Sequence, residues 1–236
     1  MGAGAAMNGD NVLQQALIWL NDPLNWQGPH GVPALTVQHL GMSAAAVLIA
    51  AAVALPLGVW QGHRERGGTL VVFASNTSRA LPTLALLFIF ATTGLGFGNK
   101  PTVVAAALFA IPPILSHAFT GVREVDPAVR DAAGGMGMSS GRVLRAVELP
   151  LAVPLVAAGL RTAAVQVVAT IPRAALVGGG GLGTIIVTGF ATQQYGQVVA
   201  GGFIVAVVCL AVEGVLALVQ RFVTPAPLRV AAAVGR

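Results

Sequence analysis

Uninterrupted apolar runs, each long enough to cross a lipid bilayer, constrain this chain more than any other feature. Residues 40–60, for example, contain no charged side chain. At about 1.5 Å per helical residue, roughly 20 residues cross the ~30 Å hydrocarbon layer. The whole chain is 56% hydrophobic and 9% charged, whereas a soluble domain carries about 25% charged residues. This composition excludes a soluble globular protein, and we expect an all-α polytopic membrane protein.

Five apolar runs qualify as transmembrane helices. They extend over about residues 40–60, 69–93, 101–120, 151–171 and 198–219. The stretch at residues 11–20, followed by Trp26, indicates an amphipathic segment that lies at the membrane interface. A short sixth span is the alternative, although residues 13–20 are too few to cross the bilayer.

The arginines between these runs predict the orientation of the chain. Five spans place residues 63–66, the segment 123–148 and the chain after residue 220 on one side of the membrane. That side carries nine arginines, whereas the opposite side carries Lys100 and Arg173. Because cytoplasmic loops are enriched in Lys and Arg, we expect the N-terminus outside and the C-terminus inside. Arginines that lie between spans, rather than on one face, also argue against a nucleic-acid partner.

The longest polar segment, residues 123–149, predicts two short helices outside the membrane. Asp126 can cap the free amides of the first helix, and Pro127 suits its first position. The glycines at 134 and 135 end this helix. A patch with almost no side-chain bulk lies within it, at Asp131, Ala132 and Ala133.

The second short helix has its own start and stop signals. Ser139 or Ser140 can cap it, it carries Arg142 and Arg145, and it stops at residues 149–150, where the chain re-enters the membrane. Two short helices joined by glycines form a compact knob that fits a groove on another protein. An ordinary solvated loop is the alternative interpretation of the same residues.

The spacing within this segment resembles the signature loop of ABC-importer permeases. That signature reads Glu-Ala-Ala, three residues, Gly, nine residues, Ile, one residue, Leu-Pro. The matching positions are Asp131, Ala132, Ala133, Gly137, Val147, Leu149 and Pro150. This chain departs from the signature in having Asp131 for Glu and Val147 for Ile. Both changes are conservative, although aspartate is shorter than glutamate by one methylene group.

Other segments are similar to the osmoprotectant branch of these permeases, which imports glycine betaine, choline, carnitine or proline. They are residues 81–87, 111–114, 120–122, 135–138, 147–152, 159–163 and 179–183. The glycine-rich element at 179–183 is shared with methionine-type permeases. A methionine-type amino-acid importer is therefore the alternative within the same family.

The resemblance implies a permease subunit in the cell (inner) membrane that has no ATPase site of its own. Its partners are a second permease subunit, identical or paralogous, two ATP-binding subunits, an extracytoplasmic substrate-binding protein and membrane lipid. ATP and Mg²⁺ bind the partner ATPase, and this chain binds no cofactor. The sequence contains no Gly-x4-Gly-Lys-Ser/Thr motif, and Lys100 is its only lysine.

The resemblance also implies a division of the chain and a role for its polar loop. Residues 1–34 form an extracytoplasmic interfacial segment, residues 35–220 the transmembrane permease domain with its coupling loop at 123–149, and residues 221–236 the cytoplasmic tail. ATP-driven closure of the ATPase moves the spans between outward- and inward-facing states. The residues assigned to coupling are Asp126, Arg130, Asp131, Ala132, Ala133, Gly137, Met138, Arg142, Leu149 and Pro150. Gly137 supplies a turn, or a close approach, that a Cβ atom would prevent.

A second group of residues is expected to line the transport path or its gate. Hydroxyls and exposed carbonyls suit this role, but Ser and Thr also serve close helix packing. A run of glycines cannot sustain a helix, so the run is either a re-entrant segment at the outer gate or a flexible turn. The residues are Ser75, Asn76, Pro82, Gly179, Gly180, Gly181 and Gly183.

Two charged residues, Arg161 and Glu213, fall within predicted spans. Charges inside a membrane are costly and need a partner or water. We therefore consider an Arg161–Glu213 ion pair that joins two helices. The alternative is that each side chain reaches the interface separately or meets a neighbouring subunit.

Two other classes of membrane protein fit the sequence less well. A membrane-embedded enzyme needs clustered His, Asp or Glu residues within its spans. Only Arg161, Glu213 and Arg79 are charged there, and the four histidines, at positions 30, 39, 63 and 117, lack metal-ligand spacing. A self-sufficient channel leaves the polar knob unexplained.

Overall fold

A computed structural model describes residues 9–65, 68, 71 and 83–224 of the chain. The described residues form helices and connecting turns, without a β-strand among them. The α-helices are α1 (Gly9–Asn21), α2 (Val32–His63), α3 (Thr83–Thr92), α4 (Asn99–Arg123), α5 (Pro127–Gly135), α6 (Ser140–Val143), α7 (Leu149–Thr170), α8 (Gly183–Ala191) and α9 (Tyr195–Val223). Short 3₁₀ turns occupy Pro23–Trp26 and Ile171–Val177. The expected all-α architecture is confirmed for these residues.

Among the described residues, four helical segments are long and apolar enough to cross a membrane. They are Val32–His63, Asn99–Arg123, Ser140–Val177 and Tyr195–Val223. They correspond to four of the five predicted spans. The described part of the remaining span is α3, with 10 residues, and most of the preceding residues of that span lie outside the described part of the chain. The count of five therefore stays a prediction.

The N-terminal helix α1 is too short to cross a bilayer. Its 13 residues extend about 20 Å at ~1.5 Å each, against the ~30 Å of hydrocarbon. The chain leaves α1 through a turn that side chains close. Asp22 Oδ1 accepts a hydrogen bond from Leu24 N at 2.9 Å, and the Trp26 indole donates to Leu20 O at 2.8 Å.

The chain divides into two compact units, and the longest helices contribute residues to both. The first contains residues up to 44, Leu84–Ala105 and Val168–Ala211. The described residues of its interior include two apolar clusters. One consists of Val32, Leu35, Leu182, Ile185 and Ile204, and the other of Leu87, Ala91, Ala105 and Val177.

The second unit contains the described residues of Ala45–Thr83, Ala106–Val167 and the described residues from 212 onward. Glycines allow its helices to pack closely. A Cβ atom at Gly62 would lie 2.7 Å from Phe119 O, and one at Gly159 would lie 2.5 Å from His117 Cβ. Both distances are below van der Waals contact, so these glycines bring α2 and α7 against α4. Small residues have this role in membrane helix packing.

One predicted helix end is wrong. We expected the second short helix of the polar segment to stop at residues 149–150, but helix continues from α6 through Leu144–Glu148 into α7. Leu144–Glu148 is a π-helical turn in which Leu149 N–H donates to Leu144 O. A proline ring in an α-helix clashes with the carbonyl four residues earlier. The wider π turn accommodates Pro150, so the helix does not end there.

Candidate functional site

The predicted start of α5 is confirmed in atomic detail. Asp126 Oδ1 accepts a hydrogen bond from Ala128 N at 2.9 Å, and Pro127 occupies the first turn. The carboxylate thus satisfies one of the free amides at the helix N-terminus and lies at the positive end of the helix dipole. These local interactions fix where α5 begins.

Gly137 has a specific role at the other end of α5. Its φ is +83°, a conformation that L-residues with a side chain rarely adopt. Gly137 N donates to Gly134 O at 2.9 Å, and Met138 N donates to Ala133 O at 3.2 Å. This pair of bonds is the Schellman motif, in which a left-handed residue satisfies the last carbonyls of a helix. The signature glycine therefore serves to turn the chain.

The second explanation offered for Gly137, a close approach, finds no support within the described chain. A Cβ atom built on Gly137 would have no other heavy atom within 4 Å. Space is therefore available for a small side chain in the isolated subunit. The backbone conformation, rather than crowding, is what favours glycine at this position.

One side of α5 presents apolar groups outward. Val129 and Met136 are 42% and 72% exposed, and Ala132 is exposed between them. Met136 is the residue directly after α5, and the spacing of three and four residues places the three side chains on one side of the helix. Ala133, four residues after Val129, is buried and marks the edge of this exposed face. An exposed apolar face with little bulk suits docking against another protein.

The remaining predicted coupling residues are distributed around this helix. Asp131, Arg142 and Pro150 are exposed, whereas Met138 and Leu149 are half-buried. Ser139 occupies the N-cap position of α6 but makes no capping hydrogen bond with its side chain.

Arg130 differs from Asp126, whose hydrogen bond stays within α5, because its guanidinium contacts other elements of the chain. Its NH1 donates to Glu65 Oε1 at 2.9 Å, and its NH2 donates to Val122 O. Its Nε lies 3.2 Å from Glu148 Oε1. Arg130 thus links α5 to the turn after α2, to the end of α4 and to the π turn before α7.

Sequence reasoning missed the buried carboxylate to which Arg130 is bound. Glu148 is 1% exposed, and its Oε2 accepts a hydrogen bond from His63 Nδ1 at 2.6 Å. The other ring nitrogen of His63 lies 2.7 Å from Ser140 Oγ. The only indication of Glu148 in the sequence was its position, an acidic residue at the variable position of the signature, directly before Leu149. Nothing local connected it to His63.

The structure brings the two intramembrane charges together. Arg161 Nε donates to Glu213 Oε1 at 2.9 Å, and Arg161 NH2 donates to the same oxygen. Gln220 extends the contact, since its Oε1 accepts from Arg161 NH1 at 3.1 Å and its Nε2 donates to Pro154 O at 3.4 Å. The sequence had not indicated Gln220. Together these groups join α7 to α9.

The glycine-rich segment has an irregular backbone held by hydrogen bonds. Gly181 has a φ of +84°, and its N donates to Gln38 Oε1 at 3.0 Å. Gly180 N donates to Asn99 Oδ1 at 2.8 Å. The segment is thus attached to α2 and α4, and neither Gln38 nor Asn99 was predicted.

The other path residues have different positions. Gly183 begins α8, where a Cβ atom would lie 1.9 Å from Pro172 O. Gly179 N donates to Ala174 O at 2.8 Å. Ser75, Asn76 and Pro82 lie outside the described residues.

His39 and His117 each contact a backbone carbonyl rather than a common partner. His39 is buried, and its Nε2 donates to Val168 O at 3.0 Å. His117 Nδ1 donates to Pro113 O at 2.8 Å. Among the described residues, no three His, Cys, Asp or Glu side chains lie close enough to hold a metal ion.

Comparison with known proteins relates this architecture to a transport family. Residues 54–225 match the family model described as binding-protein-dependent transport system inner membrane component. The choline transport system permease protein OpuBB of Bacillus subtilis (strain 168) is 34% identical over 194 residues, covering 82% of this chain and 89% of that protein. The glycine betaine/carnitine/choline transport system permease protein OpuCB of the same organism has the same identity and coverage.

A solved structure shares the fold. A chain of the inward-facing MetNI methionine ABC transporter superposes with a TM-score of 0.70 at 21% identity, covering 87% of this chain and 100% of that chain. The resemblance first seen in the spacing from Asp131 to Pro150 is thus confirmed. The chain is a multi-pass membrane protein and belongs to the family of binding-protein-dependent transport system inner membrane components, the permeases of ABC importers.

Proposed function

We propose that this chain forms the translocation path of an ATP-driven importer for osmoprotectants such as glycine betaine, choline, carnitine or proline. The observation that carries this proposal is the exposed helix α5, capped by Asp126 and closed by Gly137, within a chain of this family. Relatives over most of its length are named as permeases for choline and for glycine betaine, carnitine and choline. Their names support the substrate class.

The proposed arrangement in the membrane has five spans, with the N-terminus outside and the C-terminus inside. It places α5, Arg142 and Arg145 in the cytoplasm, in agreement with the enrichment of arginine in cytoplasmic loops. Helix α1 then lies at the outer interface. Large apolar side chains of α9, including Leu210 and Phe222, are exposed and suit contact with lipid or with the second permease subunit.

The proposed complex contains a second permease subunit, two ATP-binding subunits and an extracytoplasmic substrate-binding protein. ATP and Mg²⁺ bind the ATP-binding subunits, and this chain has no catalytic site of its own. The apolar face of α5, formed by Val129, Ala132 and Met136, is the surface that docks in the ATPase groove. Because the helix is capped at both ends, it moves as a unit when the ATPase closes.

The glycine-rich segment is proposed to form part of the outer gate. Its backbone amides at Gly180 and Gly181 are held by side chains of Asn99 and Gln38, which supports a built element rather than a loose turn. Irregular backbone at membrane depth is tolerated where it is buried in protein or lines a water-filled cavity. Ser75, Asn76 and Pro82 complete the proposed path.

Reconstitution tests the proposal directly. The chain is co-expressed with ATP-binding and substrate-binding proteins from the same genome, and the assembled complex is purified and placed in proteoliposomes. Binding protein loaded with glycine betaine, choline, carnitine or proline is expected to stimulate ATP hydrolysis and uptake. Stimulation by methionine alone would assign the cargo to the alternative class. Substrate flux without ATP or an ATP-binding subunit would contradict the importer.

A further inference from the structure

A buried ionic cluster connects the proposed docking helix to the transmembrane helices. Its centre is Glu148, whose carboxylate is withdrawn from solvent and is contacted by a partner at each oxygen. One oxygen lies 2.6 Å from His63 Nδ1, and the other lies 3.2 Å from Arg130 Nε. His63 is the last residue of α2, and Arg130 lies in the middle of α5.

Each partner of Glu148 reaches a further element. Arg130 donates to Glu65, just beyond α2, and to the Val122 carbonyl at the end of α4. His63 also contacts Ser140, the first residue of α6. Both ring nitrogens of His63 are thus in contact with a partner. The guanidinium of Arg130 donates through NH1 and NH2, and its Nε makes only the ionic contact with Glu148.

From this geometry we infer that Glu148 is a positioning residue that fixes α5 to the ends of α2 and α4 and to the start of α7, so that displacement of α5 by an ATP-binding subunit moves these helices together. The inference rests on the proposed function, because it requires an ATP-binding subunit at α5. It assigns Arg130 a role inside the permease rather than in the docking contact.

The physical basis is the geometry and burial of the cluster. A planar guanidinium presents donors in a fixed fork, so Arg130 sets the direction of α5 relative to three elements at once. A buried carboxylate that loses one partner is left uncompensated, which makes the arrangement all-or-none. Such a linkage transmits a movement, whereas a flexible connection absorbs it.

The test compares Glu148→Gln, Arg130→Gln and the double variant in the reconstituted complex. Glu124→Gln is the matched control, because Glu124 is an exposed glutamate on the turn between α4 and α5. The readouts are co-purification of the ATP-binding subunit and substrate taken up per ATP hydrolysed. Uptake per ATP separates coupling from general loss of active protein.

We expect each single variant to retain the ATP-binding subunit and to lower uptake per ATP about 5- to 150-fold, the range of ordinary coupling energies. The double variant should be no worse than the poorer single variant, since both disrupt one cluster. Multiplication of the two losses would overturn the inference. Proportional loss of ATPase activity and uptake would also overturn it. If Glu148→Gln fails to accumulate, His63→Gln takes its place in the same cycle, with the same expectations.

A measurement on the permease alone distinguishes this inference from the proposed function. A spin label at position 136, introduced as Met136→Cys with Cys209→Ser, reports the mobility of α5 in nanodiscs. Glu148→Gln should increase that mobility, whereas Glu124→Gln should leave it unchanged. Equal mobility in both variants would refute the positioning role even if the complex transports. If Glu148→Gln increased the mobility of α5 but the chain bound no ATP-binding subunit, the positioning role of Glu148 would be supported and the proposed function would be contradicted.

Discussion

The guanidinium of Arg161 donates to the carboxylate of Glu213, with 2.9 Å between Nε and Oε1, and this contact joins α7 to α9. Both side chains are about one-third exposed, at 33% and 36%. In the isolated chain solvent therefore reaches part of the ion pair. In the membrane this exposed part faces lipid, water or a neighbouring subunit. The exchange of charges between the two positions tests whether the pair holds the helices.

Reversal of either charge alone, by Arg161→Glu or Glu213→Arg, places two like charges together within apolar surroundings. We expect each single variant to reduce the amount of assembled complex in the membrane. The double reversal should restore at least about half of the wild-type amount, because the attraction is regained. Blue-native electrophoresis of membrane extracts gives this measurement. A double variant as poor as the worse single one would show that the two residues act separately.

Gly137 allows a prediction that separates backbone conformation from crowding. Gly137→Ala is expected to weaken the end of α5 by about 1–2 kcal/mol, because the left-handed conformation disfavours a Cβ atom. Gly137→Ala should therefore lower uptake per ATP. Gly137→Asn should lower it less, since asparagine tolerates this conformation better than alanine. Gly137→Trp should uncouple ATP hydrolysis from transport altogether. Normal uptake by Gly137→Trp would refute the coupling role.

Gly135→Ala is the matched control for the Gly137 series. Gly135 lies in helical conformation at the end of α5, and a Cβ atom there would have no other heavy atom within 4 Å. Alanine is a better helix former than glycine, so uptake should stay the same or rise. If Gly135→Ala lowered uptake as much as Gly137→Ala, the cause would be a change in the docking surface rather than in the turn at Gly137.

The N-cap of α5 gives a third prediction. Asp126→Ala removes the acceptor of the Ala128 amide and should destabilise the helix start by about 0.5–2 kcal/mol. Asp126→Asn retains a side-chain oxygen and should lose much less. Hydrogen exchange of the amides at the start of α5, measured by mass spectrometry, detects the difference. Equal exchange in the two variants would contradict capping by the carboxylate.

Packing between α2 and α4 gives a fourth prediction. Gly62→Ala places a methyl group 2.7 Å from the Phe119 carbonyl, and overpacking of this kind costs about 1–3 kcal/mol. The midpoint of thermal unfolding in detergent should fall. Gly41→Ala, in the same helix but with nothing within 4 Å of its Cβ, is the control. A similar midpoint for the two variants would show that the helices separate readily here.

The predictions that held are those that depend on local chemistry. Apolar runs predicted four of the helices, because burial of the backbone in lipid needs length and hydrophobicity alone. Asp126 and Pro127 predicted the start of α5 because a cap acts over two residues. The observed helices extend beyond the ends of the predicted spans. Helix α2, for example, covers Val32–His63, whereas the predicted span covered about residues 40–60. Helix ends extend past the hydrocarbon, where hydropathy carries no signal.

The features that escaped prediction depend on distant contacts. His63 and Glu148 are 85 residues apart in sequence, and no periodicity relates them. Pro150 was expected to end a helix, but the π turn before it changes the backbone around the proline. Gln38 and Asn99, like His63, are far in sequence from the residues they bind. They lie 143 and 81 residues from their partners in the glycine-rich segment. Only the folded chain brings these groups together.

We propose α5 as the surface through which an ATP-binding subunit drives this permease. A photo-crosslinking amino acid at the exposed position 132, in the complex assembled in cell membranes, tests it most directly. We expect a crosslink to the ATP-binding subunit whose yield changes when ATP is trapped. Failure to crosslink to that subunit, or labelling of position 132 from outside the cell by a membrane-impermeant reagent, would contradict it.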